Sequence, residues 1–429
     1  RSISKKESNS LKVSSTLHRI FKESVFVTFT DYLSFGVLFL ITIFINKFYD
    51  TSQLGLFTLI YTIAQITVMS FGSGFSGILR RDVSIDPSLS TSYISNLLKI
   101  RGSVVLLSLF FAVIGSYFLV ENKSGFIYFL FLMILAKGFD LGNETFYTTY
   151  QSIHAIRRFT FIKSANFILL GLIVGVVCIN RLPVHYIYEA HALVAVSFFV
   201  FNGLFYHKKQ EPIKATIFKR NTLTKYLLVE TWPLLVNAVF FQLSSRISII
   251  IIEVLNGTRM QGMYSLGITI IGGLTAFANS ISIVLFPYLT VTYKNNFKRL
   301  WPNVNKVILA FLGCAILLVI AFNAALPIIL QYVGHLPPEA PKVFSILSWG
   351  IIPVFLTALT GYLFTIMGKQ LQGMYASGIT LVINITGFYF LSRYYNIIGS
   401  AYAFILCQSI SFLVMYFWAY SIIKRKRSL

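Results

Sequence analysis

The sequence predicts an all-α integral membrane protein: twelve transmembrane helices in two pseudo-symmetric six-helix lobes, with both termini cytoplasmic. Three observations predict it: hydropathy, the placement of basic residues, and a repeat half a chain apart. Of 429 residues, 56% are hydrophobic and 12% charged, with a mean hydropathy of +0.74, whereas a soluble domain carries about a quarter charged residues. A soluble globular chain is excluded. The 36 Lys and Arg against 14 Asp and Glu, net +22, would suggest nucleic acid in a soluble protein. In a membrane protein the same excess reports topology, because basic residues collect in cytoplasmic joints, and no nucleic-acid partner is expected.

A helix needs about 20 apolar residues to cross ~30 Å of hydrocarbon, and twelve such runs are bounded by charges or by Pro and Gly. The first 24 residues are polar and basic, and the run after them, 25–45, is too long for a cleaved signal peptide. The second, 53–78, ends in a Gly-rich stretch before Arg80 and Arg81. The third, 102–120, follows Lys99 and Arg101, and the fourth, 125–147, follows Lys123. The fifth, 164–180, lies between Lys163 and Arg181, and the sixth is 187–206. A basic joint with Pro212, 207–226, then divides six runs from six. The second set is 227–253, 262–290, 304–325, 343–367, 374–391 and 400–422, separated by Arg259, Lys294, Pro327 to Lys342, Lys369 and Arg393. Outer-membrane strands would alternate over about ten residues; Phe126–Leu135 and Val307–Phe322 show no alternation. The domains expected are a basic segment 1–24, an N-lobe 25–206, a linker 207–226, a C-lobe 227–422 and a basic tail 423–429.

With these spans, 28 basic residues fall in joints on one side. Six, Lys47, Lys123, Arg181, Arg259, Lys342 and Arg393, fall on the other, and Lys137 and Arg246 lie within spans. One span more or fewer would scramble that asymmetry. The repeat supports the halving: Thr51-x-x-x-Gly55-Leu56-Phe57-Thr58-Leu59 recurs 207 residues later as Thr258-x-x-x-Gly262-Met263-Tyr264-Ser265-Leu266. Each copy opens the second helix of its half, so the lobes are expected to be parallel repeats about an axis along the membrane normal.

Gly72-Ser-Gly74-Phe-Ser-Gly77 fits the dinucleotide fingerprint, but that motif needs a strand before it; here small residues for helix packing are the better reading. Ionisable residues inside spans are more informative, since each costs roughly 2.5–3.5 kcal/mol at a helix centre. Asp31 stands alone on the first span. Lys137, Asp140 and Glu144 share a face of the fourth, extended by Thr148 and Gln151. An intrahelical Lys137–Asp140 pair is the structural alternative. Arg246 has Gln242 one turn before it and Glu253 two turns on, too far to pair. It is expected either to face a cavity or to bridge to Asp31 or Asp140. Arg80 and Arg81, with Lys22, lie at the inner mouth. Asp31 is the candidate proton carrier, and Asp140 and Glu144 are charge-pair candidates. The six histidines do not cluster, and neither H-E-x-x-H nor G-x-S-x-G occurs. Cys178, Cys314 and Cys407 sit in apolar runs. No catalytic residue, metal or cofactor is therefore expected. Pro233, Pro287, Pro327 and Pro353 in the second half allow kinks useful for alternating access.

The two six-helix halves, the G-[LM]-[FY]-[ST]-L openings of spans 2 and 8, the Gly-rich stretch running into Arg80-Arg81-Asp82, and Ile398-Gly399-Ser400-Ala401-Tyr402-Ala403 together resemble one family. From about Leu17 onward the chain resembles the bacterial polysaccharide flippases of the Wzx type. Their superfamily also holds the multidrug-and-toxin exporters and the lipid II flippases. The resemblance implies transfer of an undecaprenyl-diphosphate-linked oligosaccharide, such as an O-antigen (lipopolysaccharide) or capsule repeat unit, across the bacterial inner membrane. It also implies a cationic cavity between lobes, proton or sodium coupling, and a possible polysaccharide polymerase partner. Arg246, Lys137, Arg80 and Arg81 are then the diphosphate-binding candidates. Two alternatives stand beside it: a multidrug or organic-cation antiporter of the same fold, which would want acidic groups in its cavity, and a membrane glycan polymerase or ligase. The longest external joint, Leu326–Lys342, offers an enzyme only His335, Glu339 and Lys342.

Overall fold

The computed structural model describes residues 26–69, 73–119, 123–153, 155–209 and 220–427. The expected basic segment 1–24, Gly72 of the Gly-rich stretch, residues 210–219 of the expected linker and the last two residues of the tail lie outside the described residues. Regular structure among the described residues is helical throughout. In chain order the helices are α1 Phe26–Phe48, α2 Thr51–Ala64 with a π-helical turn Gln65–Met69, α3 Ser73–Ile85, α4 Ser90–Leu119 and α5 Lys123–Ser152. They continue with α6 Ile156–Ile179, α7 His185–Lys209, α8 Arg220–Asn256, α9 Thr258–Asn295, α10 Phe297–Val333, α11 Ala340–Ser348, α12 Ile351–Ile366 and α13 Gln370–Arg427.

Local chemistry accounts for several boundaries. The Asp50 carboxylate accepts a hydrogen bond from the Gln53 amide at 2.7 Å and caps α2, a contribution of about 1 kcal/mol. Asp86 likewise takes the Ser88 amide at 3.0 Å in the turn between α3 and α4. Pro341 sits in the first turn of α11, where its missing N–H costs nothing. Along the outside, Leu106, Phe110, Leu172, Leu193, Leu317 and Ile320 are exposed. In water that would be an aggregating surface; against acyl chains it is the ordinary exterior of a membrane bundle.

Among the described residues, eleven stretches are long and apolar enough to cross a membrane. The last of them, within α13, is two helices joined at a kink, where Tyr395 and Asn396 leave helical geometry and Asn396 takes φ 52°. The two limbs fold back on each other. Ser392 and Ser400 hydroxyls lie 2.8 Å apart, and Cys407 Sγ reaches the Ile383 carbonyl at 3.5 Å. Gly399 allows the reversal, because a Cβ there would overlap the Leu391 carbonyl.

Two expected span starts move and two expected spans are interrupted. The third span begins at Ser90, so Lys99 and Arg101 lie inside α4 and not in a joint. The fifth begins at Ile156, which brings Lys163 inside α6. The second is interrupted by the π-helical turn before α3, and the tenth is divided at Trp349–Gly350 into α11 and α12.

The two halves of the chain meet chiefly through α2, α3, α8 and α9. At the α1–α2 end the repeated segments face each other reciprocally. A Cβ on Gly55 would overlap the Thr258 carbonyl, and a Cβ on Gly262 would overlap the Thr51 carbonyl. The buried Gln261 amide donates to Thr58 at 3.0 Å and to Ser265 at 2.9 Å, two hydroxyls that occupy the same place in the two copies. The joint after α10 covers the same end: Asn46 donates to the Val333 carbonyl at 2.9 Å, and the Thr51 hydroxyl to the His335 carbonyl. At the α3–α4 end, Leu223 and Leu227 of α8 pack on Phe75, Leu79 and Tyr93, and Thr224 bonds Asn96 at 3.0 Å.

Candidate functional site

The charged residues of the first half form a track down α5. Lys137, 7% exposed, places its Nζ 3.0 Å from Asp140 Oδ2 and 4.3 Å from the centre of the Tyr61 ring on α2. The intrahelical pair and the cation–π contact together offset much of the cost of burying an ammonium group. One turn on, Glu144 accepts from the Thr148 hydroxyl at 3.5 Å. Beyond it, Lys163 of α6 is held by Asp31 of α1 at 2.8 Å, with Glu144 and Arg80 within electrostatic reach. Arg80 donates to Gln151 Oε1 at 3.0 Å. Acidic Asp140, Glu144 and Asp31 are thus interspersed with basic Lys137, Lys163 and Arg80 on α1, α3, α5 and α6.

Arg246 is placed differently. It is half-buried on α8, makes no hydrogen bond or ion pair among the described residues, and has Tyr61 as its electrostatic neighbour. Tyr61 is therefore shared: Lys137 of the first half stands over its ring, and Arg246 of the second half lies in its field. Glu253 accepts from the Thr258 hydroxyl at 2.7 Å, and Asp140 is taken by Lys137. Arg246 bridges neither Asp31 nor Asp140 and keeps its planar set of donors free.

Two expectations need correction. Asp31 does not stand alone: Lys163, expected in a joint, is its partner, and the Asp31 side chain is 58% exposed. Arg81 turns to its neighbours, donating to Asp82 at 2.7 Å and to the Tyr226 hydroxyl at 2.6 Å, so it ties α3 to α8 at the end of the bundle. Burial pushes the Asp82 carboxyl up, but hydrogen bonds from Arg81 and Tyr93 outweigh that and hold it below the usual carboxylate range.

Sequence reasoning missed Arg101. It is 2% exposed and donates to the Leu141 carbonyl at 2.7 Å, to Ser76 at 3.0 Å and to Thr145, pinning α3 and α4 to α5. No local signal marks it, since a basic residue at the start of an apolar run reads as part of a cytoplasmic joint. It also missed two amides on the helices where the halves meet. The side-chain carbonyls of Gln65, in the π-helical turn, and Asn237, on α8, are buried without a partner among the described residues. π-Turns recur at functional sites, and an orphaned buried acceptor needs an explanation. No group of His, Cys, Asp and Glu suited to a metal occurs among the described residues.

Residues 20–292 match the family described as polysaccharide biosynthesis protein. The capsular polysaccharide biosynthesis protein CapF of Staphylococcus aureus is 26% identical over 357 residues, covering 79% of this chain and 84% of its own. An inward-facing multidrug resistance MATE family transporter of the MOP superfamily superposes with a TM-score of 0.76 at 12% identity, over 92% of this chain and 96% of its own. A MOP superfamily transporter from Pyrococcus furiosus, described by the reverse polarity of its binding pocket, gives 0.66 at 13% identity, over 94% and 96% of the two chains. At these identities the two structures show a shared fold.

Proposed function

Because the chain belongs to the polysaccharide biosynthesis protein family and has the fold of MOP superfamily transporters, we propose that it flips an undecaprenyl-diphosphate-linked oligosaccharide from the inner to the outer leaflet of the bacterial cytoplasmic membrane. The cargo class is an O-antigen or capsule repeat unit, handed to a polymerase on the far side. The observation that carries this reading is Arg246, without a hydrogen bond or ion pair among the described residues and with Tyr61 as its electrostatic neighbour, the same ring that Lys137 stands over. A diphosphate is anionic and rich in acceptors, and a guanidinium fork in a low-dielectric cleft suits it better than a point charge does. Gln65 and Asn237 supply acceptors for sugar hydroxyls, while the prenyl chain stays in lipid. None of this needs a catalytic residue. A cation exporter would want free acids to attract its cargo; Asp31 and Asp140 are already held by lysines, which leaves Glu144, bonded to the Thr148 hydroxyl, as the one acid of the three not paired with a lysine among the described residues.

In this reading the two limbs of α13 bring the number of passes to twelve, in an N-lobe 25–206 and a C-lobe 227–422. Both termini are cytoplasmic, and the Gly55–Gly262 contact closes the outer end. An ion gradient, proton or sodium, supplies direction. The Asp31–Lys163 pair, partly exposed, is then the place where a proton enters, and Arg80 lies near it at the inner mouth. The test is Arg246→Ala. Surface glycan should be lost while the protein stays in the membrane, and Arg246→Lys should restore only part. Full export by the Ala variant would end the assignment.

A further inference from the structure

On the outer flank of the first half, α1 and α6 leave a groove of about 410 Å³ lined by Phe26, Arg157, Thr160, Phe161, Ser164 and Ile168, within the ~300–1,000 Å³ range of small-ligand sites. Arg157, Thr160 and Ser164 are spaced by three and four and so share one face of α6. The Arg157 side chain is exposed and makes no hydrogen bond or ion pair among the described residues. The two hydroxyls are unusual in this bundle. Thr and Ser in membrane helices ordinarily donate to the carbonyl four residues back. On α1, Thr30, Ser34 and Thr42 do so at 2.8, 2.8 and 2.6 Å. Thr160 Oγ1 and Ser164 Oγ are shielded from solvent and have no partner among the described residues. A cation and two orphaned donors thus sit above an apolar wall of Phe161 and Ile168, which are 73% and 45% exposed.

We propose that this groove is a site for an anionic glycerophospholipid, separate from the path of the transported cargo. Its phosphate accepts from Arg157 and, once their side chains turn toward the groove, from Thr160 and Ser164, and one acyl chain lies along Phe161 and Ile168. Charge selects the lipid: the groove contributes a cation and no carboxylate, and basic pockets beside membrane helices favour anionic headgroups. A zwitterionic headgroup would bring its own ammonium next to Arg157. The bound lipid would fasten α1 to α6 beside the Asp31–Lys163 pair.

The test uses the full-length protein purified in detergent and titrated with phosphatidylglycerol, phosphatidylcholine or inorganic phosphate, with bound lipid counted by native mass spectrometry. Phosphatidylglycerol should bind in preference to phosphatidylcholine. Arg157→Gln, or Thr160→Val with Ser164→Ala, should weaken it about tenfold, the loss expected for a charge-assisted hydrogen bond. The neighbouring Arg158→Gln serves as control, since Arg158 does not line the groove, and it should leave binding within twofold. Inorganic phosphate should fail to displace the lipid. Equal loss in Arg158→Gln, unchanged binding in both groove variants, or equal binding of phosphatidylcholine would overturn the assignment. Because the Thr160→Val and Ser164→Ala changes keep helix-compatible side chains of similar size, their result stands even if Arg157→Gln purifies poorly.

Discussion

Lys137 and Lys163 are both paired with aspartates, but burial makes the two pairs unequal. Lys137 shows 9% of its side chain and Asp140 33%, whereas Asp31 shows 58%. Removing one member of a buried pair strands the other charge and costs about 3–5 kcal/mol, while an exposed pair contributes ~1 kcal/mol or less. Asp140→Asn should therefore lower thermal stability in detergent by on the order of 3 kcal/mol, and Asp31→Asn by about 1 kcal/mol or less. Equal losses would mean that the two sites are equally desolvated. The Lys137, Asp140 and Glu144 face is legible in sequence, because spacing within one helix fixes which side chains align. The Asp31–Lys163 pair is not legible, because it joins positions 132 residues apart and helical periodicity carries no information about which helix lies alongside.

Among the elements, α2 and α9 are fastened by absence of side chain. Gly55→Ala or Gly262→Ala places a methyl group on the backbone carbonyl of the opposite copy, an overpacking that costs about 1–3 kcal/mol and pushes the two helices apart. Disulfide formation between cysteines placed at Thr51 and Thr258 should fall in either variant. It should not fall in Gly77→Ala, where a Cβ meets nothing within 4 Å. Unchanged cross-linking would show that this end is not held by the glycine contact. The opposite end has an acid-sensitive fastening in Asp82. Its lowered pKa means that the ionised carboxylate stabilises the α3, α4 and α8 contact fully above about pH 4 and loses it as pH falls further. Melting temperature should thus fall more steeply below about pH 4 in the unmodified protein than in Asp82→Asn, and the two should run parallel from pH 5 to 8. Parallel curves at acid pH would remove Asp82 from that contact. Sequence locates most helices, since long apolar runs leave little choice of structure in lipid. It misplaces the start of α4 because Ser90–Arg101 is polar yet helical, its Arg101 satisfied inside the bundle. It also overlooks the π-helical turn, which hydropathy cannot register.

At the scale of the molecule, the repeat foretells more than a duplication. Thr51, Gly55 and Thr58 meet Thr258, Gly262 and Ser265 across the boundary between the halves, with Gln261 serving both hydroxyls, so the matched residues form the contact that closes one end. What the repeat cannot foretell is the difference between the halves: within the helices the first holds Lys137 and Lys163 against aspartates, and the second contributes Arg246, which makes no hydrogen bond or ion pair among the described residues. That difference is the centre of the proposed mechanism, since a transported anion needs a cation that protein groups have not already taken. In the proposed mechanism two separate sites divide the work, with Arg246 holding the diphosphate and the Asp31–Lys163 pair responding to the gradient. The most direct measurement is leaflet transfer of a fluorescent undecaprenyl-diphosphate oligosaccharide in proteoliposomes under an imposed ion gradient. The unmodified protein should accelerate transfer. Arg246→Ala should reduce it at least tenfold at equal protein density, as loss of a charge-assisted fork implies, and Arg246→Lys should fall between. Transfer by Arg246→Ala at the unmodified rate would contradict the account.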